Sequence, residues 1–271
     1  MRKLLIALLT VTVTSASAQH SLEKIWQSDS TLKTPESVLV DAKSKTLYVS
    51  NIGEMGKENT GFVSKLDMSG RVTARDWVTG LNAIKGLGLH KNMLYAAELN
   101  AVAVIDVTKA AIVKRIPIEG SKMLNDITVD AKGIVYVSDT QTGTIHRIEN
   151  GKPSVYMENQ KSVNGLLSVG SNLFILADGS LIKADAAKKT TVLATGIEGG
   201  ADGIVEVAPN EFIVSGWQGI VYYIKADGTK QVLLETRQNK RSTADIGYDA
   251  QTKTLYIPTF ATNVVDAYKV K

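Results

Sequence analysis

Six short apolar segments recur along the chain at a nearly constant spacing. They start at residues 47, 94, 135, 173, 212 and 255, so each unit is about 42 residues long. Repeats of this length occur in arrays whose units bury their apolar surfaces against their neighbours. The spacing therefore predicts one continuous array of six units rather than two independent domains.

Each unit contains four short segments with the residue preferences of β-strands, separated by turn residues. In the first unit these segments are 37–40, 47–50, 61–66 and 72–78. No segment longer than about ten residues after the N-terminal region has a helical period. The sequence therefore predicts an all-β protein, a six-bladed β-propeller with four antiparallel strands in each blade.

The last unit is one strand short. After segments 245–248, 255–259 and 264–270 the sequence stops at Lys271, whereas segment 22–27 has strand character and precedes the first unit. Pairing of this N-terminal strand with the last blade closes the ring and removes exposed sheet edges. We therefore expect the last blade to be completed by the N-terminal strand.

The first 18 residues have the pattern of a secretion signal. A positive start is followed by an apolar stretch at 4–13, too short to span a bilayer, and by the small residues 16–18 of a cleavage site. The alternative is a retained amphipathic anchor, but the apolar run does not continue and no cysteine is available for a lipid. We expect cleavage of 1–18, a single domain at 19–271, export to the periplasm or secretion, and no stable membrane anchor.

Composition excludes several kinds of chemistry. The chain has no cysteine and three histidines, which removes disulfide scaffolds, thiol nucleophiles and zinc ribbons. Of the 31 basic residues two lie in the signal segment, so 29 remain against 27 acidic residues. This near neutrality gives no electrostatic support for a nucleic-acid partner, and we expect none.

Polar residues recur where the innermost strand of each blade begins, at the central funnel of the predicted propeller. The residues before that strand are Glu36, Lys85, Asn125, Asn164, Asp202 and Ala244, and the next ones are Ser37, Gly86, Asp126, Gly165, Gly203 and Asp245. Carboxylate and amide oxygens suit a hard divalent cation. We expect calcium, with magnesium, manganese or zinc as alternatives; the alternative to a metal site is that these residues cap turns between blades.

Four motifs carry a resemblance to a known family: Pro35-Glu36-Ser37-Val38, Leu124-Asn125-Asp126, Val163-Asn164-Gly165-Leu166 and Ala201-Asp202-Gly203-Ile204. Through the order and spacing of these motifs, the chain resembles the senescence marker protein/gluconolactonase (regucalcin-like) family of six-bladed propellers. The resemblance implies that Glu36, Asn164 and Asp202 bind a divalent metal and that Asn125 contacts metal and substrate. It also implies that Asp202 is the general base of lactone hydrolysis.

Two residues depart from the family pattern. Met123 stands where family lactonases have an arginine that holds a polyhydroxylated substrate. Lys85 lies in the ring between Glu36 and Asn125, where an ammonium group can pair with Glu36 in place of a metal or bind a substrate carboxylate. These departures put sugar-lactone specificity in question.

The remaining expectations concern the substrate and the reaction. The predicted substrate contacts are Asn125, Lys85, Asp126, Asp245 and Trp217, with a packed Trp217 as the alternative. Glu98 and Asp139, at the ends of second strands, are predicted to be solvated turn residues. Two functions follow: a metal-dependent lactonase or esterase acting on a small molecule, or a non-catalytic propeller that binds a small ligand or a protein.

Overall fold

A computed structural model describes residues 19–271, and the predicted signal peptide at residues 1–18 lies outside the described residues. The described chain contains 24 strands and two short 3₁₀ turns, Arg237–Asn239 and Phe260–Thr262. The strands form six four-stranded antiparallel sheets, so the predicted six-bladed β-propeller is confirmed. In residues 19–271 no helix is long and apolar enough to cross a membrane.

The strands follow the chain from the innermost to the outermost position of each blade, after a first strand, β1, at Leu22–Gln27. Blades 1 to 3 consist of β2 Pro35–Asp41, β3 Thr46–Asn51, β4 Gly61–Asp67 and β5 Val72–Leu81; β6 Leu87–His90, β7 Met93–Ala97, β8 Ala101–Asp106 and β9 Ala111–Pro117; and β10 Leu124–Val129, β11 Val135–Asp139, β12 Thr144–Glu149 and β13 Lys152–Met157. Blades 4 to 6 consist of β14 Leu166–Val169, β15 Asn172–Ala177, β16 Ser180–Ala184 and β17 Thr190–Ala194; β18 Ala201–Ala208, β19 Glu211–Gly216, β20 Ile220–Lys225 and β21 Lys230–Glu235; and β22 Gly247–Asp249, β23 Thr254–Pro258 and β24 Val265–Val270.

The N-terminal strand completes blade 6, as predicted. Strand β1 is the outermost strand of that sheet and pairs antiparallel with β24, from Leu22 opposite Val270 to Gln27 opposite Asp266. The Trp26 side chain anchors the strand, because its indole N–H donates to the carbonyl oxygen of Met68 in blade 1 at 3.1 Å. The two ends of the chain therefore meet in one blade, and Trp26 connects that blade to the next.

The hydrophobic core lies between blades rather than inside any one of them. Tyr48 of blade 1 packs in one cluster with Leu94 of blade 2, and Phe174 of blade 4 packs in another with Phe212 of blade 5. The Phe174 and Phe212 ring centroids are 4.7 Å apart. Burial of each such side chain stabilises the fold by about 1.5–3 kcal/mol. Each blade buries these side chains against the next blade. Packing between blades therefore holds the innermost strands around the central axis.

Candidate functional site

The innermost strands of blades 1, 3 and 5 are irregular where the predicted site residues lie. Each strand has a break in register, between Pro35 and Val38, Leu124 and Ile127, and Ala201 and Ile204. A β-bulge of this kind changes the direction in which the following side chains point. These three bulges contain Glu36, Asn125 and Asp202, and all three side chains reach the central funnel.

A buried serine supports each bulge. The hydroxyls of Ser50, Ser138 and Ser215 each accept the backbone N–H of the residue after the site residue, at 2.9 Å. A buried N–H without such a partner is costly, so the serine stabilises the irregular backbone. This role of the serines was not predicted from the sequence. The feature of the sequence that indicates it is a Val-Ser pair, which recurs in the second strand of blades 1, 3 and 5.

Glycine allows neighbouring blades to approach at the funnel. A Cβ atom at Gly165 would clash with the carbonyl oxygen of Asp202, and one at Gly203 would lie 2.5 Å from Asp245 Oδ1. Only glycine leaves room for the adjacent backbone at these positions. The Asn164-Gly165 and Asp202-Gly203 pairs therefore do more than form turns, because the glycine brings Asn164 of blade 4 next to Asp202 of blade 5.

The funnel ends in a cavity of about 620 Å³. It brings together six predicted site residues from five blades, namely Glu36, Lys85, Asn125, Asn164, Asp202 and Trp217. Apolar side chains surround them, including Met123, Ile197 and Phe260. A concave site with a polar floor and apolar walls is typical of a small-molecule binding pocket.

The three predicted metal ligands form a small polar cluster on the floor of this cavity. Asn164 Nδ2 donates to Asp202 Oδ1 at 2.7 Å, which turns Asn164 Oδ1 away from Asp202. Asn164 Oδ1 and Glu36 Oε2 are both buried and have no hydrogen-bond partner in the structure. These two buried acceptors, next to the buried carboxyl group of Asp202, therefore lack a hydrogen-bond donor.

Asn125 lies at the same level of the funnel but is held differently. Its Nδ2 donates to the hydroxyl of Thr140 at 3.0 Å, and that hydroxyl donates to the carbonyl oxygen of Val163 at 2.7 Å. These two hydrogen bonds, which run from blade 3 to blade 4, fix the plane of the Asn125 amide. The amide oxygen of Asn125 is left to contact a ligand. This geometry is compatible with the predicted contact between Asn125 and a metal or substrate.

Burial disfavours the charged form of the acidic residues at the funnel. It raises the pKa of Asp202 to about 8; the Asp245 carboxylate adds to the shift, while Lys85 and the Asn164 hydrogen bond oppose it. Burial likewise raises the pKa of Glu36 well above its usual value, and the charge of Lys85 partly opposes the rise. Both groups therefore keep a proton more readily than an ordinary carboxyl group, and a cation beside them would lower both pKa values.

The donor set fits a divalent cation that prefers oxygen. Glu36 and Asp202 supply carboxylate oxygens, and Asn164 supplies a buried amide oxygen without another partner. Within residues 19–271 no group of three or more His, Cys, Asp and Glu side chains is placed to hold a metal ion. A cation here therefore relies on the amide oxygen as well as on the two carboxylates, a combination typical of calcium sites.

Asp126 and Asp245, expected among the substrate contacts, do not line this cavity. Asp126 accepts the N–H groups of Ile127 and Leu166, both at 2.6 Å, and Asp245 accepts the hydroxyl of Ser37. Both residues line a different cavity of about 300 Å³ between the innermost strands. Their oxygens are used by the chain itself, so they join blade 3 to blade 4 and blade 6 to blade 1.

The prediction that Glu98 and Asp139 are solvated was wrong. Glu98 is 2% exposed and Asp139 is fully buried. Asp139 accepts the N–H groups of Lys122 and Met123 at 2.7 and 3.1 Å, and Glu98 pairs with Arg115 at 2.9 Å. These carboxylates fix the connections that lead into the innermost strands, and they support the funnel from behind.

Comparison with known proteins gives the class of fold. No protein-family model and no curated protein matches the sequence. Among solved structures, a protein provisionally described as a gluconolactonase has a TM-score of 0.69 at 16% identity, covering 94% of this chain and 93% of that one. Virginiamycin B lyase from Staphylococcus aureus has a TM-score of 0.66 at 13% identity, with 93% and 99% covered.

A further neighbour comes from a nidogen/laminin complex, with a TM-score of 0.66 at 15% identity over 79% of this chain and 84% of that one. At such identities the similarity establishes the fold alone. The protein is a six-bladed β-propeller, and its structural neighbours include a gluconolactonase-like protein and a lyase. The same architecture therefore supports different functions, and the function of this chain depends on the residues of its own funnel.

Proposed function

We propose that the funnel binds one divalent metal ion, calcium in the first instance, and that the protein is an exported hydrolase of lactones or related small esters. One observation carries the proposal: Glu36 Oε2 and Asn164 Oδ1 are buried acceptors without partners, next to the buried carboxylate of Asp202. The export part of the proposal rests on the signal-like pattern of residues 1–18. The likeness in fold to a gluconolactonase-like protein is consistent with this function.

In this proposal Glu36, Asn164 and Asp202 hold the ion, and Asn125 contacts the substrate beside it. When bound, such an ion polarises a carbonyl group and lowers the pKa of water. The Asn164 amide orients the Asp202 carboxylate by donating to its Oδ1, which leaves Oδ2 to accept a proton. The pKa of Asp202, about 8 without a cation, falls when positive charge is placed beside it.

The role of Asp202 is that of a general base. Its Oδ2 takes a proton from the attacking water while the water oxygen bonds to the carbonyl carbon of the lactone. The ring carbon–oxygen bond then breaks, and the proton passes from Oδ2 to the departing oxygen. The product is a hydroxy acid, and Asp202 returns to its initial state.

Chelation tests this proposal. We expect a panel of γ- and δ-lactones to contain at least one that the purified protein hydrolyses, with proton release as the readout. Treatment with EDTA followed by its removal should abolish the activity, and adding back calcium, magnesium, manganese or zinc in separate samples should restore it with at least one ion. Hydrolysis that is unchanged after chelation would contradict a metal-dependent site.

A second function is binding without turnover, and Lys85 is the observation that favours it. An ammonium group among the proposed metal ligands can compete with a cation for Glu36. In that case the funnel binds an anionic small molecule, or the propeller presents a face to a protein partner. The absence of metal binding together with retained ligand binding would favour this alternative.

A further inference from the structure

Lys85 is a charged residue without a partner at the floor of the funnel. Its side chain lines the cavity and is only partly buried. Within residues 19–271 no ion pair within 4.0 Å and no side-chain hydrogen bond involves Lys85 Nζ, although the Glu36 and Asp202 carboxylates are close enough to feel its charge. The Lys85–Glu36 ion pair, one of the two alternatives predicted for Lys85, is therefore not formed, and the ammonium group is available to a ligand.

The charges around the proposed metal site leave this ammonium uncompensated. A divalent ion and the two carboxylates of Glu36 and Asp202 neutralise one another, and Asp178 pairs with Lys161, so that no counter-charge lining the cavity is left for Lys85. The nearby Asp245 does not line this cavity and accepts the hydroxyl of Ser37. A partly buried positive charge favours a ligand that brings a negative charge. Position 123 is a methionine and not an arginine that could hold a polyhydroxylated ring.

The wall of the cavity on blades 5 and 6 is aromatic. Trp217 is 44% exposed and meets Phe260 edge to face, with ring centroids 5.7 Å apart and an interplanar angle of 84°. Hydrogen bonds hold the backbone of both residues: the Trp217 N–H donates to the carbonyl oxygen of Gly200 at 2.8 Å, and the carbonyl oxygen of Phe260 accepts the N–H of Asn263 at 3.1 Å. An exposed, positioned indole provides a flat apolar surface for a ring.

The two features lie on opposite sides of the funnel. Lys85 belongs to blade 2 and Trp217 to blade 5, and in a ring of six blades these two face each other across the axis. We infer that the substrate carries a carboxylate at one end, bound by Lys85, and a planar apolar ring at the other, bound by Trp217 and Phe260. This inference rests on the proposed function, since it places the scissile ester between the two ends.

A pair of non-hydrolysable probes tests the inference through binding alone. We expect 3-phenylpropionate to bind at least about tenfold more tightly than its uncharged amide, measured by calorimetry and by tryptophan fluorescence with manganese present. Lys85→Gln should reduce the preference for the acid to about one, whereas Lys85→Arg should keep it. Trp217→Leu should weaken the binding of both probes.

Two outcomes would overturn the inference. One is a parent protein that binds acid and amide equally. The other is a preference for the acid that persists in Lys85→Gln and disappears when the metal is removed, because the carboxylate would then be bound by the metal. Metal binding by each variant, measured separately, shows whether the proposed metal site is intact, so that its failure is distinguished from failure of the inference.

Discussion

Replacement of Asp202 by asparagine is expected to lower the rate of lactone hydrolysis by about 10²–10⁴-fold, the range of a lost general base. The amide has nearly the same shape as the carboxylate and keeps an oxygen to accept from Asn164 Nδ2. It cannot take a proton from water, and it removes one negative charge from the proposed metal site. The measurement is kcat at saturating metal, so that weaker metal binding is separated from the loss of the base.

The matched control for this variant is Asp178→Asn. Asp178 lines the same cavity, but it is exposed and pairs with Lys161 at 3.0 Å. We expect this variant to keep the parent rate. The melting temperature of metal-free Asp202→Asn should not fall below that of the parent, because a neutral amide avoids the cost of a buried carboxylate. An Asp202→Asn variant that retains most of its activity would remove Asp202 from the mechanism.

Removal of residues 19–29 is expected to unfold the protein at room temperature. The deletion exposes the edge of β24 and removes Trp26, whose ring packs against Tyr256 with centroids 5.6 Å apart. Trp26 is partly buried, so loss of its side chain costs somewhat less than the roughly 3–5 kcal/mol of a fully buried tryptophan. The lost strand pairing adds to this cost, and the total approaches the roughly 5–15 kcal/mol by which a typical domain is stable.

Circular dichroism melting of the shortened chain measures this effect. A Trp26→Phe variant serves as the control, since it keeps the strand and most of the apolar contact and should still fold. Addition of a peptide with the sequence of residues 19–29 should raise the melting temperature of the shortened chain. A shortened chain that melts within a few degrees of the parent would show that β1 does not hold the ring closed.

The strand positions could be predicted from the sequence because each blade repeats the same short apolar runs. Segment 47–50 corresponds to β3 at Thr46–Asn51, and segment 61–66 corresponds to β4 at Gly61–Asp67. The predicted end of β5 was too early, since the strand continues from residue 78 to Leu81 and Leu81 pairs with Gly61. Gly80, with a φ of 77°, is bulged out between Thr79 and Leu81, and the pairing continues on both sides of it.

The ring of funnel residues could be predicted in part. The repeat alignment correctly brought Glu36, Asn125, Asn164 and Asp202 to one cavity, because equivalent positions in a propeller have equivalent distances from the axis. The alignment did not reveal the orientation of Asp126, the residue that follows Asn125. Whether the Asp126 carboxylate faces the funnel or the backbone depends on the bulge and on the N–H of Leu166 in the next blade, and neither is visible in a single repeat.

The prediction that Glu98 and Asp139 are solvated was wrong for a similar reason. A carboxylate after a strand is usually solvated, and sequence alone does not reveal that a connection from another part of the blade will cover it. The N–H of Asn82 and the Arg115 guanidinium group bury Glu98, and the N–H groups of Lys122 and Met123 bury Asp139. Burial of acidic residues at strand ends is thus a property of the whole blade.

Diffraction from crystals soaked in manganese can show whether the funnel binds a divalent cation. We expect one anomalous peak on the funnel axis, with oxygens of Glu36, Asn164 and Asp202 within about 2.6 Å, the upper end of the usual range for such ligands. We also expect Lys85 Nζ to stay apart from Glu36. The absence of a peak, with Lys85 paired to Glu36 in its place, would contradict the metal site and leave a propeller that binds its ligand without a cation.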